Sequence, residues 1–192
     1  MLIEPATETS DDFVGLKGFN TRVQFVNSFT KHRLSTPNLM SNLPNQEIID
    51  NLKIAYAMEL ETVQNYIAAS NNLDGVRSDV IKKALAADVT EELNHAQTLA
   101  NRIKTIGGAV PGSFDLERAQ KSLQPLADTT DIVGVIKGVI DAENGAIAQY
   151  NKIIQITDGI DYVTQDMAIG LLSGEEEHRR EFIGFLKEYE ND

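Results

Sequence analysis

Two short motifs of the same type stand far apart in the chain. Glu92 and His95 form one Glu-x-x-His motif, and Glu175 and His178 form the other. A spacing of three residues places both side chains on one helix face, with Cβ atoms about 5–6 Å apart. Carboxylate and imidazole groups suit iron, manganese or zinc. The chain has only three histidines, and two of them follow a glutamate at this spacing, so the repetition indicates a metal site.

Each motif belongs to a longer internal repeat. At an offset of 84 residues, Glu59 matches Glu143 and Tyr66 matches Tyr150. After a deletion of one residue, an offset of 83 matches the two Glu-x-x-His motifs. Each half therefore has a single glutamate, a tyrosine two turns later, an Asp-Gly pair and a Glu-x-x-His motif. This order predicts two copies of one helical hairpin.

Long segments without proline, rich in helix-forming residues, predict an all-α fold of four long helices. The helices are placed at about residues 45–72, 78–106, 131–157 and 162–189. Short turns make the helices of each hairpin antiparallel, as in a four-helix bundle. Residues 107–130 are long enough to cross the length of the bundle, with one short helix expected around residues 116–123. Residues 1–44 are predicted to be an N-terminal extension, and residues 45–192 the bundle.

Helical periodicity places at least one carboxylate near the middle of the apolar stripe of each helix. Burying an unpaired carboxylate costs several kcal/mol, and four in one layer could not all stay ionised. Two divalent cations would balance four such charges. Two single glutamates with two Glu-x-x-His motifs also form the ligand set of di-metal four-helix bundles. The predicted ligands are Glu59, Glu92, His95, Glu143, Glu175 and His178.

Composition excludes several classes of protein. The chain has 29 acidic and 17 basic residues, a net charge of −12, which disfavours binding to nucleic acids or to anionic membranes. The absence of cysteine excludes disulfides, zinc–thiolate sites and iron–sulfur clusters. Residues 1–10 do not resemble a signal peptide, and no apolar segment is long enough to span a membrane. A cytoplasmic location is therefore expected.

Two stretches resemble signatures of the ferritin-like superfamily, closest to the non-haem bacterioferritin-like and Dps-like ferritins. EELNHAQTLANRIKTIGGAVPG is similar to the second-helix signature, and GEEEHRREFIGFL to the fourth-helix signature. The resemblance covers about residues 45–190. Leu93 stands where bacterioferritins have the methionine that binds haem, so no haem is expected.

The resemblance implies a role for each predicted ligand. Glu92 and Glu175 would bridge two metal ions. The terminal ligands would be Glu59 and His95 for one ion, and Glu143 and His178 for the other. Tyr66 matches a tyrosine that can supply an electron to the di-iron centre, and we predict it to be catalytic. A core tyrosine hydrogen-bonded to a bridging carboxylate is the alternative for Tyr66 and Tyr150.

The implied function is a ferroxidase that oxidises Fe(II) with O₂ or H₂O₂, for iron storage, iron detoxification and protection against oxidative stress. It would bind two iron ions per chain, with manganese or zinc possible, in a homo-oligomer that is a dodecameric cage or smaller. One alternative is a small di-iron or di-manganese peroxidase, catalase or oxygenase that does not store iron. Another is a helical adaptor with a structural metal.

Overall fold

The computed structural model describes residues 43–189, and it describes only the backbone for residues 43 and 44. Four helices span Leu43–Asn72 (α1), Asp79–Thr105 (α2), Ile132–Thr157 (α3) and Tyr162–Tyr189 (α4). Within residues 43–189 there is no strand, and the predicted all-α fold is confirmed. The observed helix ends lie within two residues of the predicted ones. The extension predicted at residues 1–44 falls almost entirely outside the described residues, so its boundary stays a prediction.

Glycine ends α2 as its sequence predicts. Gly107 has a φ of 92°, a left-handed conformation that strains any residue with a Cβ. Its N–H donates to Lys104 O at 3.1 Å, and the N–H of Gly108 donates to Ile103 O at 2.8 Å. This pair of bonds is the Schellman motif, which satisfies carbonyls in the last turn of a helix.

The connection between α2 and α3 differs from the prediction. The expected short helix at residues 116–123 is wrong, and a 3₁₀ turn lies earlier, at Ser113–Asp115. Instead of making helical hydrogen bonds, this segment bonds to α1. Ala119 N–H donates to the buried Glu61 at 2.8 Å, and the Asn65 amide donates to Gln120 at 2.9 Å. Leu123 packs into the core, so contacts with α1 and the core decide the conformation of this segment.

The helices bury two apolar clusters, one on each side of a polar layer. One cluster includes Leu85, Ile136 and Phe182, and the other includes Leu52 and Ile153. In each helix, the glutamate predicted to face the core lies between residues of the two clusters. Among residues 43–189, no helix is both long and apolar enough to span a membrane.

An ion pair joins the end of α2 to the start of α4. The Arg102 guanidinium contacts both carboxylate oxygens of Asp161 at 2.7 Å and donates from Nε to Thr164 Oγ1 at 2.7 Å. Asp161 also accepts the backbone N–H of Thr164, which caps the first turn of α4. The Arg102 and Asp161 side chains are only 15% and 16% exposed, so water screens this pair less than a surface pair.

We predict that Arg102→Ala lowers the free energy of unfolding of the metal-free protein by about 1–3 kcal/mol, the usual effect of losing hydrogen bonds to a charged group. Urea unfolding followed by circular dichroism measures the change. The control is Arg180→Ala, because Arg180 pairs with Glu177 where both side chains are more than 60% exposed. An unchanged unfolding midpoint for Arg102→Ala would contradict the assigned role.

Candidate metal centre

Four carboxylates lie in one buried layer, one from each helix. Glu59, Glu92, Glu143 and Glu175 are each no more than 2% exposed. His95 and His178 are buried beside them, and their nearly parallel rings lie 6.4 Å apart between centroids. The structure thus brings together all six residues that the sequence predicts as metal ligands.

The six residues form two overlapping groups of four. Within each group, one possible ligand atom per residue lies within 4.8 Å of the others. The first group is Glu59, Glu92, His95 and Glu175, and the second is Glu92, Glu143, Glu175 and His178. Glu92 and Glu175 belong to both groups, which is the geometry required of bridging carboxylates. The pairing of the remaining residues is the one that the sequence resemblance implies.

The ligand atoms at the middle of the layer lack hydrogen-bond partners. Both carboxylate oxygens of Glu92 and of Glu175, and Nδ1 of both histidines, are buried without one. His95 Nδ1 lies 2.8 Å from Glu175 Oε1, but the pair does not meet hydrogen-bond geometry. Buried polar atoms without partners are rare and costly. Their convergence, together with a donor set of oxygen and imidazole nitrogen, fits two divalent cations.

A family model described as the ferritin-like domain matches residues 49–191. The chain belongs to the ferritin-like family. Another match, to the synapsin N-terminal domain, covers only residues 28–45. The family match confirms the superfamily resemblance seen in the two helix signatures.

Three known proteins illustrate the relationship. The DNA protection during starvation protein of Pyrococcus furiosus is 29% identical over 145 residues, which cover 73% of this chain and 77% of that protein. The bacterioferritin-related protein of Bacteroides fragilis, described as a dodecameric thioferritin, aligns with a TM-score of 0.70 and 28% identity, covering 77% of this chain and 88% of that one. A ferritin-like, diiron-carboxylate protein of Bacillus anthracis aligns with a TM-score of 0.67 over 75% of this chain and 98% of its own. At 20% identity, this last likeness supports the fold alone.

Without metal, the four carboxylates of this ferritin-like bundle divide into two kinds. Burial, with the charges of Glu175 and Glu92, raises the pKa of Glu59 well above its usual value. Burial and the same two charges raise the pKa of Glu143 in the same way. For Glu92, burial alone would raise the pKa, but contact with His178 and His95 outweighs it and lowers the pKa to about 2. Glu59 and Glu143, the candidate terminal ligands (below, the terminal candidates), therefore favour the neutral acid, and Glu92 stays ionised.

The histidines show the complementary effect. Burial alone would lower their pKa values, but the facing carboxylates of Glu175 and Glu92 outweigh it. The pKa of His95 rises to about 9 and that of His178 to about 12. In the metal-free protein, protons on the imidazoles thus supply positive charge where the family's ligand set would place cations.

Two tyrosines connect the halves of the bundle. The Tyr66 hydroxyl in α1 donates to Glu143 in α3, and the Tyr150 hydroxyl in α3 donates to Glu59 in α1. Both acceptors are terminal candidates, not the bridging carboxylates that the sequence alternative suggested. These two hydrogen bonds are reciprocal because α1 and α3 run antiparallel. Each tyrosine thereby restrains a carboxylate from the other half of the repeat.

Two acidic residues of α2 join the site in different ways. Asp88, one turn before Glu92 in α2, is buried, and its Oδ2 has no hydrogen-bond partner. Burial raises the pKa of Asp88 to about 6. Glu91 was not singled out in the sequence, yet it lies near Nε2 of both histidines. Its i, i+4 spacing to His95 was visible in the sequence, but its approach to His178 depends on how α2 packs against α4.

We predict that binding of a divalent cation at pH 7 releases at least two protons per chain. His95 and His178, with pKa values of about 9 and about 12, are protonated at this pH and must each lose a proton to coordinate metal. Because protons compete with the metal, affinity should rise with pH up to about 9 at the site containing His95, and should go on rising above pH 9 at the site containing His178. Calorimetry with Zn²⁺ in two buffers of different ionisation enthalpy counts the protons. Binding without proton release would contradict the involvement of both histidines.

Proposed function

We propose that this chain is a ferroxidase with two iron ions per chain, which oxidises Fe(II) with O₂ or H₂O₂ for iron storage and detoxification. The observation that carries the proposal is the pair of four-residue groups sharing Glu92 and Glu175, with buried ligand atoms that lack other partners. Zinc and manganese accept similar ligands. Membership of the ferritin-like family favours iron as the working metal.

Iron would supply the redox chemistry, and the protein would control charge and geometry around it. The four carboxylates supply four negative charges in a layer closed to water, which favours the more highly charged ferric state. Glu92 and Glu175, reached by both groups, would hold the two substrate ions close together. Tyr66 and Tyr150 would keep Glu143 and Glu59 oriented through hydrogen bonds.

Tyr66 and Tyr150 occupy equivalent positions but have different surroundings. Asp88 is among the buried charges that raise the pKa of Tyr66. At the matching position of the other half, the repeat has Leu171 instead. Oxidation of a tyrosine releases its phenolic proton. Each tyrosine has a carboxylate that can accept it, Glu143 or Glu59, and Asp88 adds a further negative charge near Tyr66. This asymmetry supports Tyr66, rather than Tyr150, as the electron donor.

Two of the three similar proteins support a homo-oligomer with a protective function. The Bacteroides fragilis neighbour is described as dodecameric, and the Pyrococcus furiosus relative is named for DNA protection during starvation. A homo-oligomer follows by analogy. The net charge of −12 disfavours direct contact with DNA, so any protection of DNA would come from removing Fe(II) and oxidant. A cytoplasmic location stays a prediction.

We expect the wild-type protein, given excess Fe(II) with O₂ or H₂O₂, to retain many more than two iron ions per chain. Glu92→Ala and His95→Ala should abolish rapid oxidation, because each variant removes a predicted ligand from a buried site. Stopped-flow absorbance measures oxidation, and gel filtration with iron analysis measures retention. Circular dichroism shows whether each variant keeps its helices.

Glu176→Gln is the matched control, since Glu176 is an exposed neighbour of Glu175 and is not a predicted ligand. It should oxidise iron at the wild-type rate. Wild-type rates in Glu92→Ala or His95→Ala would refute the site assignment. Retention of about two iron ions per chain in a small oligomer would refute storage and favour a discrete di-metal enzyme.

We predict that Tyr66→Phe slows iron oxidation more than Tyr150→Phe does. Each substitution removes one hydrogen bond to a terminal carboxylate, so a purely structural role would make the two effects equal. Rates from single-turnover oxidation test the difference, and rapid-freeze electron paramagnetic resonance tests for a tyrosyl radical that Tyr66→Phe removes. Equal rates and unchanged spectra in the two variants would leave only the structural role.

A further inference from the structure

Glu91 lies between the outer nitrogens of the two buried histidines. Its Oε2 is 3.3 Å from His178 Nε2, and its Oε1 is 3.9 Å from His95 Nε2. Each carboxylate oxygen therefore faces a different imidazole. The Glu91 side chain itself is 53% exposed, so it approaches the buried histidines from the surface of the bundle.

The internal repeat is broken at this position. The residue that matches Glu91 in the second half is Gly174, directly before Glu175. A Cβ at Gly174 would lie 3.2 Å from His95 Cε1 and 3.4 Å from Glu91 Oε1. The first distance is tighter than ordinary van der Waals contact. The missing side chain therefore leaves space for the His95 ring, which stands beside Glu91.

The two nitrogens of each histidine ring make different contacts, which suit them to different roles. In both histidines, Nδ1 faces the carboxylate layer, where it has no hydrogen-bond partner, and Nε2 faces Glu91. A histidine that binds metal through one nitrogen commonly donates the other N–H to a carboxylate, which fixes the tautomer and the ring orientation. A bundle with two equivalent halves would need two such carboxylates, and the described structure offers one between both rings.

We propose that Glu91 is a shared positioning residue, which orients His95 and His178 together for metal binding, and that Gly174 leaves room for the His95 ring in this arrangement. The proposal rests on the metal centre assigned above. An ordinary surface glutamate four residues before His95 would contact only that histidine. The contact with His178 crosses from α2 to α4 and is the shorter of the two. One side chain thereby links the two metal positions.

The test is a titration of the metal-free protein with Co²⁺ under anaerobic conditions, followed by calorimetry and visible absorption. Wild-type protein should bind two ions per chain. Glu91→Ala should weaken both sites by about 10- to 100-fold, the usual effect of removing the partner of a ligating histidine. Glu91→Gln has one acceptor oxygen, so it can serve only one imidazole and should weaken one site more than the other. The absorption spectrum reports the changed ligand field directly.

Glu176→Gln removes the same charge beside the site and should bind Co²⁺ as the wild type does. Three results would overturn the shared role: wild-type affinity in Glu91→Ala, weakening confined to one site in Glu91→Ala, or an equal loss in Glu176→Gln. Failure of the wild-type protein to bind two ions would instead overturn the metal centre itself. The two failures are therefore distinguishable in one series of titrations.

Gly174→Ala tests the spatial part of the proposal. The added methyl group would press on the His95 ring. His178 is not among the atoms nearest to that methyl group. Co²⁺ binding at the site containing His95 should weaken more than binding at the other site. Wild-type affinity at both sites would show that glycine is not required there.

Discussion

Repulsion among four buried carboxylates decides how charge is arranged at the centre of this bundle. Four negative charges in a layer closed to water cannot coexist unless positive charge enters with them. In the metal-free protein that charge comes from protons, since His95 and His178 have raised pKa values and Glu59 and Glu143 favour their neutral forms. The apolar clusters on either side keep water out and make this compensation necessary. A site built in this way would exchange protons for divalent cations on binding metal.

The internal repeat divides the charged and hydrogen-bonding groups of this layer equally between the two hairpins. Each hairpin contributes a single glutamate, a Glu-x-x-His motif and a tyrosine that bonds to the other hairpin's glutamate. These reciprocal hydrogen bonds tie α1 to α3 at the level of the carboxylates. They hold the terminal candidates in place while leaving the shared pair, Glu92 and Glu175, without hydrogen bonds of its own.

Two of the differences between the halves of the repeat lie close to the polar layer. Asp88 is matched by Leu171, and Glu91 is matched by Gly174. Both acidic residues belong to α2, and the second hairpin has a buried leucine and a glycine in their places. The two proposed metal positions are therefore alike in their ligands but different in their surroundings. Such a difference would allow the proposed redox role of Tyr66, with Tyr150 serving only in positioning.

Periodicity and the repeat predicted the four helices and the six ligand candidates, because helix formation and the facing of i, i+3 residues are local properties of the chain. Three features depended on tertiary contacts. The segment at residues 116–123 forms hydrogen bonds to Glu61 and neighbouring residues of α1 instead of the predicted helix. The tyrosines bond to terminal candidates because of the antiparallel register of α1 and α3. Glu91 reaches His178 because α2 packs against α4, a contact between residues so distant in sequence that no local pattern encodes it.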